Sequence, residues 1–409
     1  MKRLLAITLG ILTAIGGFVD IGDLVANGLV GARFGLSLAW VVIVGIGGIC
    51  VYAEMCGRVA AISGRPVFDI VRERLGPRWG ITNLLASFLI TFLTLTAEIG
   101  GVALALELAS SVHYLLWVPL AAFAVWVVIW RVRFKRMEEI FGLLGLCLIV
   151  FGVAVWQLGP DWGALWTQAT HPAPDGGEGW PTYAYWGIAL FGAAMTPYEV
   201  FFFSSGGVEE HWSRRDLGTM RANVFIGFPL GGLLSLCIMA ATAIVLLPRG
   251  VEVETLDQLV TPVTESLGKV GLAVVLIGIF AATFGAALET GLSCGYTVAQ
   301  YFGWQWGKYV RPRDASRFHV TVLLTILTGV LILCTTVDPV LVTEYSIVLS
   351  AAALPLTYLP ILVVANDPDY LGEHTNGRFA NTVGTVYLGV VLVASLAAIP
   401  LMIVTGAGG

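Results

Sequence analysis

The stretch GGFVDIGDLVANG, Gly16 to Gly28, carries two carboxylates three residues apart, Asp20 and Asp23, inside an apolar run that begins at Leu4. A third acid, Glu199, follows Pro197 in the apolar run FGAAMTPYEVFFFSSGG. A charge held at the middle of a bilayer costs about 2.5–3.5 kcal/mol even on the lenient insertion scale. Such acids are therefore expected to be protonated, hydrogen-bonded, or visited by a cation. Asp20, Asp23, Glu54, Glu98, Glu107, Glu199 and Glu289 all lie within or near the ends of apolar runs, with almost no Lys or Arg at the same depth. For Glu54, Glu107 and Glu289 a protonated, hydrogen-bonded contact between helices accounts for the residue. Asp20, Asp23 and Glu199 differ in the backbone beside them. Gly16, Gly17 and Gly22 flank the first pair, and Pro197 precedes the third. Glycine weakens a helix, and proline removes a backbone donor and clashes with the preceding turn. Both segments therefore read as discontinuous helices. A break bares carbonyl oxygens, which are tolerated at membrane depth only where they line a cavity or bind something.

The elements that must position these groups are membrane spans. Of 409 residues, 57% are hydrophobic and only 12% charged, and the mean hydropathy is +0.86. A soluble domain carries about a quarter charged residues. Apolar runs recur near Leu4–Val30, Ser37–Ala61, Ile81–Leu108, Tyr114–Trp130, Ile140–Leu158 and Tyr183–Ser205. They continue near Val224–Leu247, Val270–Phe302, Val320–Cys334, Val340–Val364 and Val383–Val404. The fold class is an all-α polytopic membrane protein of about eleven spans, in which Val270–Phe302 is long enough to tilt or protrude.

Lys and Arg favour the cytoplasmic side. With the N-terminus inside, 19 of the 22 Lys and Arg residues fall on that side, and only Arg33, Arg249 and Lys269 fall outside. The localisation expected is the cell membrane, with the N-terminus cytoplasmic and the C-terminus outside. Spans one to five and six to ten read as repeats, about 1–158 and 183–365. An odd count inverts the second unit, and the loop at 159–182 joins the two. The span at about 383–404 is an addition, and 1–409 forms a single transport domain. Both suspected breaks then fall in the first helix of a repeat, as in transporters that bind cations at the midplane.

Other chemistry is not indicated. No P-loop, nucleophile elbow or H-E-x-x-H occurs, and all five histidines lie in loops or at span ends. The six cysteines form no C-x-x-C pair and read as small apolar packing residues. The short basic clusters are explained by topology, so no nucleic acid is expected. The chain reads as a transporter rather than an enzyme, embedded in a lipid bilayer, without a resident cofactor and monomeric.

The sequence resembles the Nramp divalent-metal transporters, which have eleven or twelve spans on a LeuT-like fold. Their D-P-G-N of the first span reads here Asp20-Ile21-Gly22-Asp23, and their M-P-H of the sixth reads Thr196-Pro197-Tyr198. LVANGLVGARFGLSLAWVV, ISGRPVFDIVRERLGPRWG, AEIGGVALAL and SIVLSAAALPLTYLPILVVANDPDYLGEHTNGR also look like the family. The resemblance makes Asp20 the metal-binding aspartate and puts Asp23 in place of an asparagine ligand. It makes the carbonyls of Gly17 and Ala193 backbone ligands, and puts Thr196 in place of a methionine. Tyr198 and Phe203 stand where histidines lie, Glu98 matches an acid of the third span, and Leu95 replaces an aspartate. Ser346 falls where the tenth span has a glutamine, and Glu199 is an acid that the usual motif lacks.

These departures share one direction. A thioether and two imidazoles are lost, while carboxylates and a hydroxyl are added. All-oxygen sites suit Mg²⁺, Ca²⁺ and Mn²⁺, whereas sulfur favours softer ions. The function expected is alternating-access transport of a hard divalent ion, Mg²⁺- or Mn²⁺-like, not coupled to protons, with the metal as substrate. The alternative is an amino-acid or organic-cation permease on the same fold. There Asp20 or Glu199 would pair with a substrate amine, and Tyr198 with Phe201–Phe203 would form an aromatic wall.

Overall fold

The computed structural model describes residues 2–174 and 178–406, with side chains from Thr8 onward. Every regular element among the described residues is helical. Ten helices are long and apolar enough to cross a bilayer, and a bent pair, Thr8–Phe18 with Ile21–Phe34, makes an eleventh crossing. The ten are Ala39–Ser63, Pro77–Ser110, Tyr114–Arg131, Phe134–Leu158, Trp180–Glu209, Leu217–Arg249, Leu256–Phe302, Ser316–Leu333, Pro339–Ala365 and Arg378–Val404. The eleven expected spans are therefore present, in the expected order.

Local chemistry sets their limits. The second span stops at Gly64, whose φ of 67° is the left-handed conformation that glycine enters freely. The eighth span begins earlier than its apolar run suggests, at Leu256, behind a capping box of Thr255 and Gln258. Its extra length is not simple tilt. Gly268, at φ 63°, breaks the helix, so residues 256–267 form a separate arm before the crossing proper. The loop between the fifth and sixth spans holds a short helix, Trp162–Thr170, capped by Asp161. Another short helix, Val67–Leu75, links the second and third spans, and its Val67 N–H donates to Ser204 Oγ of the sixth at 2.9 Å.

The first half of the first span lies directly on the fifth. A Cβ added to Gly16 would come within 1.8 Å of the Gly142 carbonyl oxygen, so only glycine permits this backbone-to-backbone approach. The eighth span runs beside the third, and the tenth beside the third and the eleventh. Arg33 pairs with Glu178 at 2.6 Å at one end of the bundle. At the other end, Arg65 bridges Asp69 and Glu73, both at 2.7 Å, and Arg74 holds Asp367 at 2.7 Å.

Candidate functional site

The first and sixth spans are both interrupted, and the interruptions face each other. In the first, the helix ends at Phe18 and resumes at Ile21, with a bend of 61°. Asp20 caps the second half: its Oδ1 accepts the Asp23 N–H at 2.8 Å, and its own carbonyl accepts Leu24 N–H at 3.0 Å. An uninterrupted helix would give the Ile21 N–H to the Gly17 carbonyl. Here it donates instead to Glu98 Oε1 of the third span at 3.0 Å. That leaves the Gly17 carbonyl without its helical donor. Gly17 is exposed, and nothing lies within 4 Å of the place a Cβ would occupy.

In the sixth span the break follows from proline. The fourth residue after Ala193 is Pro197, which has no N–H, so the Ala193 carbonyl loses its helical partner by covalent structure alone. Met195 N–H caps the Phe191 carbonyl at 3.1 Å, and Tyr358 of the tenth span takes the Met195 carbonyl at 3.1 Å. Thr196 then precedes the second half-helix, Pro197–Glu209, where proline stands at a favoured first position. The Thr196 hydroxyl donates to Glu199 Oε2 at 3.4 Å. Tyr198 reaches across to the other break, and its hydroxyl donates to Asp20 Oδ2 at 3.0 Å.

A cavity of about 1050 Å³ opens beside these breaks, lined by Gly17, Glu138, Glu199, Phe202, Phe203 and Glu289 among others. It runs to the end of the bundle that carries Lys135 and Arg215, the end expected to be cytoplasmic. Asp20 and Asp23 do not line it; they lie behind it, 2% and 3% exposed. Among the described residues no three His, Cys, Asp or Glu side chains converge into a ready metal-holding group.

The expected site residues fall into three groups. Asp20, Asp23, Gly17, Ala193, Thr196, Tyr198 and Glu199 all lie at the two breaks. Glu98 stands behind them, its Oε2 buried without a hydrogen-bond partner. Ser346 turns to the third span, where its hydroxyl meets Thr94 Oγ1 at 3.0 Å. Its neighbour Ile347 packs against the first break instead: a Cβ on Gly22 would lie 3.1 Å from Ile347 Cγ2.

Glu54 is a correction to the view that the membrane acids lack basic partners. It binds Arg58 at 3.1 Å and Arg221 at 2.9 Å. Arg58 sits one turn away in the same helix, so the i, i+4 spacing was the available signal. Glu289 is the opposite case, because it shares the cavity wall with Glu199. Glu138 does so too, but its place in RVRFKRMEEIFG, beside a basic cluster, reads as loop. Asn27, one turn beyond Asp23, is fully buried; its amide donates to the Asp23 carbonyl at 2.9 Å, and its Oδ1 has no partner. The phenylalanines of the proposed aromatic wall are partly committed elsewhere. Phe201 packs edge-on against Phe68, Phe202 stacks on Phe134, and Phe203 meets Trp212.

Two broken helices facing each other within a bundle of eleven crossings define a membrane transporter of LeuT-like fold. Solved structures share it: the Eremococcus coleocola manganese transporter superposes with a TM-score of 0.70 at 20% identity, over 97% of this chain and 86% of that one. Mhp1, a nucleobase-cation-symport-1 family transporter, superposes at 0.60 with 18% identity, over 96% and 91% of the two chains. Within that fold the chain belongs to the Nramp family: the natural resistance-associated macrophage protein-like profile matches residues 10–400. Its relatives include the divalent metal cation transporter MntH 1 of Pseudomonas aeruginosa, 26% identical over 95% of this chain and 89% of that protein. Another is the divalent metal cation transporter MntH of Deinococcus radiodurans, 24% identical over 92% and 85%.

Proposed function

We propose that this protein transports a divalent metal ion across the membrane by alternating access, holding it between the two breaks. Asp20 and Asp23 supply the charge, the carbonyls of Gly17 and Ala193 supply neutral oxygens, and Thr196 with Glu199 completes the sixth-span side. Relatives named as divalent metal cation transporters, together with membership of the Nramp family, support the ion class. The observation that carries the choice of ion is the position of sulfur. The thioether nearest the site in sequence, Met195, is fully buried away from it: a Cβ on Gly48 of the second span would lie 2.7 Å from its Sδ. The groups proposed here as ligands offer oxygen alone, and an oxygen shell that keeps several waters suits Mg²⁺ or Mn²⁺.

Coupling to protons is not part of this reading. Leu95 is fully buried among apolar residues of the third and eighth spans, Tyr198 is bound to Asp20, and Phe203 is packed on Trp212. None of them is an imidazole or a carboxylate that could relay a proton onward from Glu98. The test is uptake into liposomes loaded with a metal indicator and a lumenal pH dye. Mn²⁺ and Mg²⁺ should enter without acidification in proportion to the ion. Uptake of an amino acid in place of either ion would favour the permease reading, and stoichiometric acidification would refute the uncoupled mechanism.

A further inference from the structure

Tyr198 does more than line a break, because it satisfies the one carboxylate that every step of transport must manage. Asp20 is 2% exposed and both of its oxygens are engaged. The bond from Asp23 N–H to Oδ1 lies within the first span and persists wherever that half-helix moves. The bond from Tyr198 to Oδ2 is different, since it crosses from the sixth span to the first. No Lys, Arg or His among the described residues forms an ion pair with Asp20. Tyr198 is itself 4% exposed, and Pro197 immediately before it fixes where its ring begins. On the same half-helix the next residue, Glu199, faces the cavity, so the two neighbours serve different partners.

We propose that the Tyr198 hydroxyl stands in for the ion: it occupies Asp20 Oδ2 while the carrier is empty and yields that oxygen when the cation arrives. The inference rests on the transport reading given above. A buried carboxylate with an oxygen left bare is expensive, and hydrogen bonds to charged groups are the strong ones. A carrier lacking the stand-in would have to carry a half-satisfied Asp20 through the return step, when no ion is bound. A loaded carrier has no such difficulty, because the ion itself covers Asp20. The hydroxyl thus makes the empty return possible without a proton or a second cation in the site, which is what a facilitator of net flux requires.

The experiment uses Tyr198→Phe, which keeps the ring and removes only the hydroxyl, in liposomes containing the full chain. Two rates are compared with Mn²⁺ as the probe. One is exchange of labelled for unlabelled Mn²⁺ across the membrane, which never needs the empty carrier to return. The other is net uptake into metal-free vesicles, which needs it every cycle. Net uptake should fall about tenfold or more further than exchange does, and the exchange that remains reports a folded protein. An equal fall in both rates would overturn the proposal, because the hydroxyl would then serve the loaded site. Unchanged net uptake would overturn it as well. Wild-type protein that exchanges neither Mn²⁺ nor Mg²⁺ would instead sink the transport reading, and this inference with it.

Discussion

The two breaks solve one problem by different means. The first is held open by side chains: Asp20 caps one half-helix, and Glu98 draws the Ile21 N–H away from Gly17. The sixth is held open by covalent structure, since Pro197 has no donor to give Ala193. Thr196 makes no capping bond there, whereas Asp20 caps the first break. The first span also bends by 61°, while the sixth runs on as one crossing of 30 residues. The difference assigns them different tasks. On the proposed reading, a break maintained by charged acceptors would change its energy when a cation arrives, which makes the first the responsive half. A break maintained by proline would stay as it is in either case and would offer a fixed carbonyl with a tunable side chain beside it.

The largest effect should come from removing the residue that is both cap and charge. Asp20→Ala should lower Mn²⁺ affinity by more than the roughly 10–100-fold typical of groups standing behind a ligand. Glu107→Ala, half-buried near the far end of the third span, should change it little. Calorimetry on both variants checks this, and equal affinities for Asp20→Ala and wild type would move the site elsewhere. Glu98 comes next. Glu98→Leu deletes the acceptor of the Ile21 N–H, freeing that donor to return to Gly17, and should weaken binding by about tenfold or more. Glu98→Gln keeps an acceptor oxygen and should retain most of the affinity. If Gln proves as damaging as Leu, the first break depends on the negative charge of Glu98 and not on its hold on the backbone.

The same contrast explains what could be read from the sequence. Both breaks were legible, because glycine, proline and carboxylate are rare company in an apolar run and each has a local meaning. The positions of the eleven crossings were legible for the same reason. Partnerships between distant segments were not. That Glu98 takes the Ile21 N–H, 77 residues away, or that Tyr198 reaches Asp20 across 178, depends on how helices pack. Ser346 is a further case, since its hydroxyl meets Thr94 Oγ1 of the third span, a partner 252 residues away. Glu54 was a nearer miss, with Arg58 visible one turn on and Arg221 hidden by distance.

Ion choice should be adjustable at the sixth break without disturbing the first. Thr196→Met places a thioether where the hydroxyl now meets Glu199, and sulfur favours Cd²⁺ over Mg²⁺. The Cd²⁺/Mg²⁺ affinity ratio should rise by about tenfold, or ~1.4 kcal/mol. Measuring both ions separates damage, which weakens both, from a change of preference. A folded variant with an unchanged ratio would mean that residue 196 does not face the ion.

The smallest effect should come from Pro197, and it bears most directly on the claim that the sixth break is fixed by covalent structure. Pro197→Ala restores an N–H four residues after Ala193, so that carbonyl regains a helical partner and the ion must compete for it. A backbone hydrogen bond is worth about 0.5–1.5 kcal/mol net, which converts to a loss of roughly two- to tenfold in metal affinity. Stability should hardly move, because proline at the first helical position already sits without strain and its removal relieves nothing. The variant therefore separates two accounts of the break. If annealing the helix weakens Mn²⁺ binding while the melting temperature holds, Ala193 contributes its carbonyl to the ion and Pro197 is what makes it available. If binding is unchanged, Tyr358 and the packing of Gly192 against the tenth span keep the helix open unaided, and the sixth break would be held by its neighbours just as the first is.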